Sequence, residues 1–353
     1  MKKRVIIAAV VLLITMVPAW IMLAVTYVGT GQLQGAAFWA SLPAVAGLAV
    51  AATAGRRFAV IAAIVVGLLA PLSIVAGSSP VSGAALMALM AMTVGRLSRF
   101  GLHKSALLYP VMLAWPLIAP PTWSGATTVD RSDTPYLLWM AAIFFVGAVL
   151  PALVVPLLMR KRPTPPLTQH SRSESVPYTV VITVLLAVST FIVLDNPRLY
   201  GGAFLIAAIL VLAPIGVATP LRDTFWRILG TLIGSVLLLA VLSQIDSLAL
   251  IYLLGLVFIV IALMSRFGVH GWLYYVFMVP ATAALNATTL TQVGQLGEQR
   301  LVDNIVGGVL VLIGVAATIA YSHWATRHGH ADAGDAEADA LVDAQDPAPA
   351  SAT

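Results

Sequence analysis

Two clusters of polar residues, each at the edge of a long apolar run, hold most of the chain's capacity for chemistry. Arg222, Asp223, Arg227 and Thr231 form one, and Glu298, Arg300 and Asp303 the other. Asp223 and Arg227 are four apart and Arg300 and Asp303 three apart, so each pair shares one face of a helix. Two readings follow. In one, the charges of each pair neutralise one another at the membrane boundary while the arginines snorkel to water. In the other, two basic sites at opposite mouths attract and hand over an organic anion, and Asp303 or Glu298 takes a proton.

Enzymatic constellations are missing. The sequence has no Gly-rich phosphate loop of the Walker type, no His-Glu-x-x-His and no Gly-x-Ser-x-Gly. It reads as a non-enzyme that calls for no cofactor. His328 and His330 offer only two imidazoles on an acidic tail, a poor metal site. With no cysteine, disulfides, thiolate metal sites and Cys nucleophiles are excluded together.

The elements that must position the clusters are membrane helices. Hydrophobic residues make up 60% of the 353 and charged residues 9%, with a mean hydropathy of +0.98. A chain of this composition cannot clothe a soluble core in charge but can face lipid. Apolar runs are expected to span at about 5–28, 36–54, 58–76, 82–95, 105–120 and 136–158. A second set is expected at about 177–194, 201–219, 226–242, 247–264, 271–287 and 302–323. The expected fold is therefore all-α and polytopic, with about twelve transmembrane helices. The first run follows Met1-Lys2-Lys3-Arg4 and is too long for a signal peptide, so it is expected to stay as a span.

Orientation follows from Lys and Arg. With the N-terminus cytoplasmic, all 19 except Arg131, Arg198 and Arg300 fall on the inner side. That asymmetry accounts for the net charge of +5 without a nucleic-acid partner. Both termini are then cytoplasmic and the location is the plasma (inner) membrane.

Ser98-Arg99-Phe100-Gly101-Leu102-His103 returns 167 residues later as Ser265-Arg266-Phe267-Gly268-Val269-His270. Gly35-Ala36-Ala37-Phe38 and Gly201-Gly202-Ala203-Phe204 repeat at nearly the same offset. The chain thus divides into a six-helix repeat (1–159), a cytoplasmic linker (160–176), a second six-helix repeat (177–326) and an acidic tail (327–353) that reads as disordered. An even span count makes the repeats parallel. His103 and His270 are expected at the cytoplasmic interface, solvated or bonded to carbonyls.

Gly230 and Gly234 remove bulk from one helix face and are expected to serve packing, as is Gly307. Thr231, between the first two, is expected to bond its own helix backbone. Prolines interrupt corresponding spans of the two halves: Pro43 against Pro214, and Pro110 and Pro116 against Pro280. Each is either a plain kink or a break beside a cavity.

Arg227, Gly230, Thr231 and Gly234, followed by Arg300, Asp303 and Gly307, resemble the fusaric acid resistance protein-like (FUSC-like) family. That family has an Arg-x-x-Gly-Thr-x-x-Gly helix start and a later Arg-x-x-Asp-x-x-x-Gly helix start. The resemblance covers roughly residues 180–320. It implies a multi-pass membrane transporter of efflux type, related to exporters of aromatic carboxylic acids. The first half departs from the pattern, with Arg56-Arg57 lacking the glycines and Arg131-Ser132-Asp133 more closely spaced. The chain also lacks the large cytoplasmic domain of bigger relatives.

The expected function is secondary-type efflux of small amphipathic or aromatic organic anions. The expected partners are the lipid bilayer and the small organic anion, with a homo-oligomer or an envelope protein as further partners. Because almost no charge lies mid-span, a membrane scaffold or assembly partner of cell-envelope machinery stands as the alternative. A carrier of lipid-linked substrates is a third.

Overall fold

A computed structural model describes residues 17–18, 21, 36–123, 128–158, 167, 169–196, 202–212, 220–266, 272–286 and 290–327. The described residues hold α1 (Ala36–Ala76), α2 (Pro80–Leu97), a short α3 (His103–Ala106), α4 (Leu108–Ile118) and α5 (Thr134–Leu158). These are followed by α6 (Arg172–Asp195), α7 (Gly202–Leu212), α8 (Pro220–Val241), α9 (Leu248–Arg266), α10 (Leu273–Asn286) and α11 (Leu290–Arg327). By length and composition six stretches suit a membrane span, at Trp39–Ala76, Pro80–Phe100, Thr134–Leu157, Glu174–Asp195, Thr224–Val241 and Val293–Tyr321. Against the twelve spans expected, the described residues hold these six, with shorter apolar helices at Leu108–Ile118, Ala249–Ala262 and Leu273–Ala284. Nearly all of the expected first span, Pro214, the tail after residue 327 and the second hexapeptide from Phe267 onward lie outside the described residues.

α1 joins two expected spans. Gly55 sits within it at φ 84°, ψ 175°, a conformation that a side chain disfavours. On either side the helix packs along α5 in opposite senses. Gly47 meets the Ala148 backbone and Gly67 meets Phe145. Val50, Ala59 and Ala152 cluster near the break, and Ile74 lies by Arg131 at the far end. The two arms therefore form a helical hairpin closed at Gly55, beside Arg56 and Arg57. Lipid is as apolar as leucine, so such contacts depend on close packing of small residues rather than on a hydrophobic drive.

Arg131 closes the opposite end of this half. Its Nη1 donates to the carbonyls of Ile74 (2.9 Å) and Leu117 (2.8 Å), and its Nη2 to that of Ile118 (3.3 Å). These are carbonyls near the C-terminal ends of α1 and α4, which lack helical partners and carry partial negative charge. Burial holds the Arg131 guanidinium below its usual pKa range. Neighbouring Asp130 accepts from the Ser132 backbone and hydroxyl, which holds its carboxyl below the usual range.

The halves meet where α2 packs on α6. Ser98 Oγ donates to Ser175 Oγ (2.9 Å), both buried, and the His170 amide donates to the Ser98 carbonyl (3.3 Å). α6 begins at Arg172, before the expected residue 177, because Ser171 caps it by accepting from the Glu174 amide (3.3 Å). His103 is 2% exposed, its ring edge-on to His170 at 4.8 Å. The segment at His170 covers the expected interfacial histidine, which corrects the solvated reading.

Candidate functional site

Within the first charged cluster, Arg227 lies in a helix contact. Arg227, Gly230, Thr231 and Gly234 recur at three- and four-residue spacing, which places them on one stripe of α8. That stripe faces α10. The Arg227 guanidinium lies 5.9 Å from the Tyr275 ring centre. A Cβ on Gly230 would meet the Trp272 carbonyl, and one on Gly234 the Val276 carbonyl. Thr231 is buried and donates to the Ile228 carbonyl at 2.8 Å, within its own helix. Arg222 is exposed. The Asp223 side chain lies outside the described residues, and so does any pairing with Arg227.

The second cluster lies deeper than its spacing suggests. α11 begins at Leu290 rather than near 302, so Arg300 and Asp303 sit inside the helix instead of at its mouth. The segment 290–299 is polar enough to read as loop, but Gly297 seats it against Leu238 and Leu239 of the α8 end. Glu298 is exposed. Arg300 turns inward. Its Nη2 donates to Thr282 Oγ1 of α10 at 2.7 Å, and its guanidinium carbon lies 3.3 Å from the centre of the Phe204 ring on α7. Phe204 in turn stands perpendicular to Trp115 of α4, at 4.4 Å. A chain of contacts thus runs from the first half through two aromatic rings to a partly buried cation in the second.

Arg300 and Asp303 do not close an ion pair. Among the described residues the only pair within 4.0 Å is His170–Glu174. Asp303 is buried, and its Oδ2 has no hydrogen-bond partner among the described residues, nor does Arg300 Nε. Such groups are costly in an apolar interior unless something joins them.

Asp303 lines a cavity of about 350 Å³ between α6, α7 and α11. Its other polar lining side chain is Ser189. Gly307, a turn beyond, meets Ala208 of α7 closely. On the other side of α11, Asn304 Nδ2 donates to Ser235 Oγ at 3.0 Å, and Ser235 Oγ donates to the Thr231 carbonyl at 3.0 Å. This bridge ties the two charged helix starts together.

Pro43 lies within the first arm of α1 beside Gly147. Pro110 and Pro116 are buried within α4, and Pro280 is buried within α10. None of these lines the cavity at Asp303. Sequence reasoning missed Thr282, Phe204, Trp115, Asn304, Ser235 and Ser189. Of these, only Asn304 carried a signal, an amide within an apolar helix. The described residues contain no group of three or more His, Cys, Asp or Glu able to hold a metal.

Comparison with curated proteins and with solved structures gives no match. A family model does match, and the matched stretch includes Arg227, Arg300, Asp303 and the whole lining of the cavity. Residues 184–314 of this helical membrane protein match the model of the fusaric acid resistance protein-like family.

Proposed function

We propose that the protein is a secondary exporter of small amphipathic or aromatic organic anions, with Arg300 as the anion site and Asp303 as the proton-carrying group. One observation carries this reading: a guanidinium in the helix bundle, stacked on an aromatic ring and bonded to a hydroxyl, has no carboxylate within 4.0 Å among the described residues. A bound carboxylate would supply the missing charge, and Phe204 and Trp115 offer flat apolar surface beside it. Intramembrane ionisable residues that are not paired off mark ion and substrate pathways.

Transport would proceed by alternating access between two parallel six-helix halves in the plasma membrane, with both termini cytoplasmic. The repeated hexapeptide supports the two-half plan. Similar packing at the end of each half supports it too: α5 lies against both arms of α1, as α11 lies against α7 and α8. Arg131 and Arg300 also reach back to comparable helices, α4 and α10. The test is efflux of an aromatic carboxylate from proteoliposomes, abolished by Arg300→Met. Normal transport by that variant would remove Arg300 from the pathway.

A further inference from the structure

The cavity at Asp303 opens toward lipid. Val188 on α6 is 52% exposed and Val302 on α11 57% exposed, and both line it, so its mouth lies between two helices on the outer surface of the bundle. Its base holds the Asp303 carboxyl, 9% exposed with Oδ2 unpartnered among the described residues. The groups facing Asp303 are few. From α6 the polar one is Ser189, from α7 there are Gly202 and Leu205, and on α11 itself Arg300 lies one turn away. No cation is among the lining residues. An occupant must bring an apolar body that enters from the bilayer and an end that donates a hydrogen bond to a carboxylate.

We propose that this cavity is a lateral entry site that captures the undissociated form of a lipophilic carboxylic acid directly from the bilayer. The proposal rests on the anion-export function above and specifies the form and route of the substrate. The neutral acid partitions into hydrocarbon, whereas its anion pays a large desolvation cost there. Once seated, its O–H donates to Asp303. The substrate O–H bond breaks as an O–H bond forms on Asp303, giving a substrate carboxylate and a neutral Asp303. No oxidant or further reactant is needed. The new anion then lies a helical turn from the Arg300 guanidinium, which has room for it electrostatically once Asp303 is neutral.

The test uses the full chain in lipid nanodiscs with tritiated 2-naphthoic acid as probe, across pH ~5.5–9.5. An aromatic carboxyl titrates near ~4, so its neutral fraction falls roughly tenfold per pH unit in this range. Binding at fixed total acid needs both the neutral acid and an ionised Asp303, so it is expected to fall in step on the alkaline side of the range, where Asp303 stays ionised. The methyl ester, neutral but without a donor, is expected not to compete. Val188→Trp, at a half-exposed position that tolerates bulk, should fill the mouth and weaken binding at least about tenfold. Asp303→Leu should do the same by removing the acceptor. Binding that is flat across pH, displacement by the ester, or tighter binding of 2-naphthylmethylamine than of the acid would overturn the lateral site while leaving anion export standing. Absence of naphthoate binding at every pH would overturn the export function itself.

Discussion

Replacing Arg300 by Met separates a group kept for function from one kept for stability. The wild-type guanidinium gains a charge-assisted hydrogen bond to Thr282, about 1.5–3 kcal/mol, and a stacked contact with Phe204, about 2 kcal/mol where water is excluded. Against these stands the desolvation of a cation, several kcal/mol even after relaxation. The sum lies near zero. Methionine keeps the reach and a polarisable contact with the ring, so Arg300→Met should melt within a few degrees of wild type. Anion binding should behave differently, because one or two charge-assisted bonds to a carboxylate vanish. At about 1.5–3 kcal/mol together, and 1.4 kcal/mol per factor of ten, the expected loss in naphthoate affinity is about 10- to 100-fold. Thermal melting in detergent and binding in nanodiscs, measured on the same preparations, give both numbers. An Arg300→Met variant that binds naphthoate as wild type does would refute the anion role of Arg300. That role is equally refuted if the variant loses so much stability that lost binding merely tracks lost fold.

Arg131→Ala should leave helix-end carbonyls of α1 and α4 without their donor, at a cost of about 2–3 kcal/mol. Hydrogen exchange at those ends should quicken, and unchanged protection there would contradict the capping role. Gly55→Ala places a methyl group at φ 84°, and the expected cost of about 1–3 kcal/mol should appear as a lower melting temperature. A neutral result would mean that the hairpin does not depend on that backbone. Gly234→Val forces a branched side chain onto the Val276 carbonyl, so α8 and α10 must separate. Cysteine pairs across that contact should cross-link less in the variant; equal yields would show the stripe to be unimportant.

The membrane class was legible because composition alone rules out a charged surface, and the spans on either side of Arg56 were legible because a break falls at Gly55. The stripe on α8 was readable as packing from glycine spacing, and a Cβ on Gly230 or Gly234 would meet the Trp272 or Val276 carbonyl. Depth was not readable. Gln292, Gln295, Glu298 and Gln299 made 290–299 resemble a loop, and only contact with Leu238 and Leu239 shows why the helix extends through it. The surroundings of Arg300 were hidden for a related reason. Phe204 and Thr282 are far from it in sequence and look like ordinary apolar-run residues until helices bring them together. The burial of His103 was not readable because its cover, His170, belongs to a linker whose composition suggests extension into water.

If organic anions pass through the site at Arg300, the chain is a carrier. Counterflow of radiolabelled benzoate in proteoliposomes tests it most directly, since preloaded unlabelled benzoate drives labelled benzoate above equilibrium only through a carrier. A transient overshoot is expected with wild-type protein and none with Arg300→Met. Wild-type proteoliposomes indistinguishable from empty liposomes, or an equal overshoot with the variant, would contradict a carrier acting through Arg300.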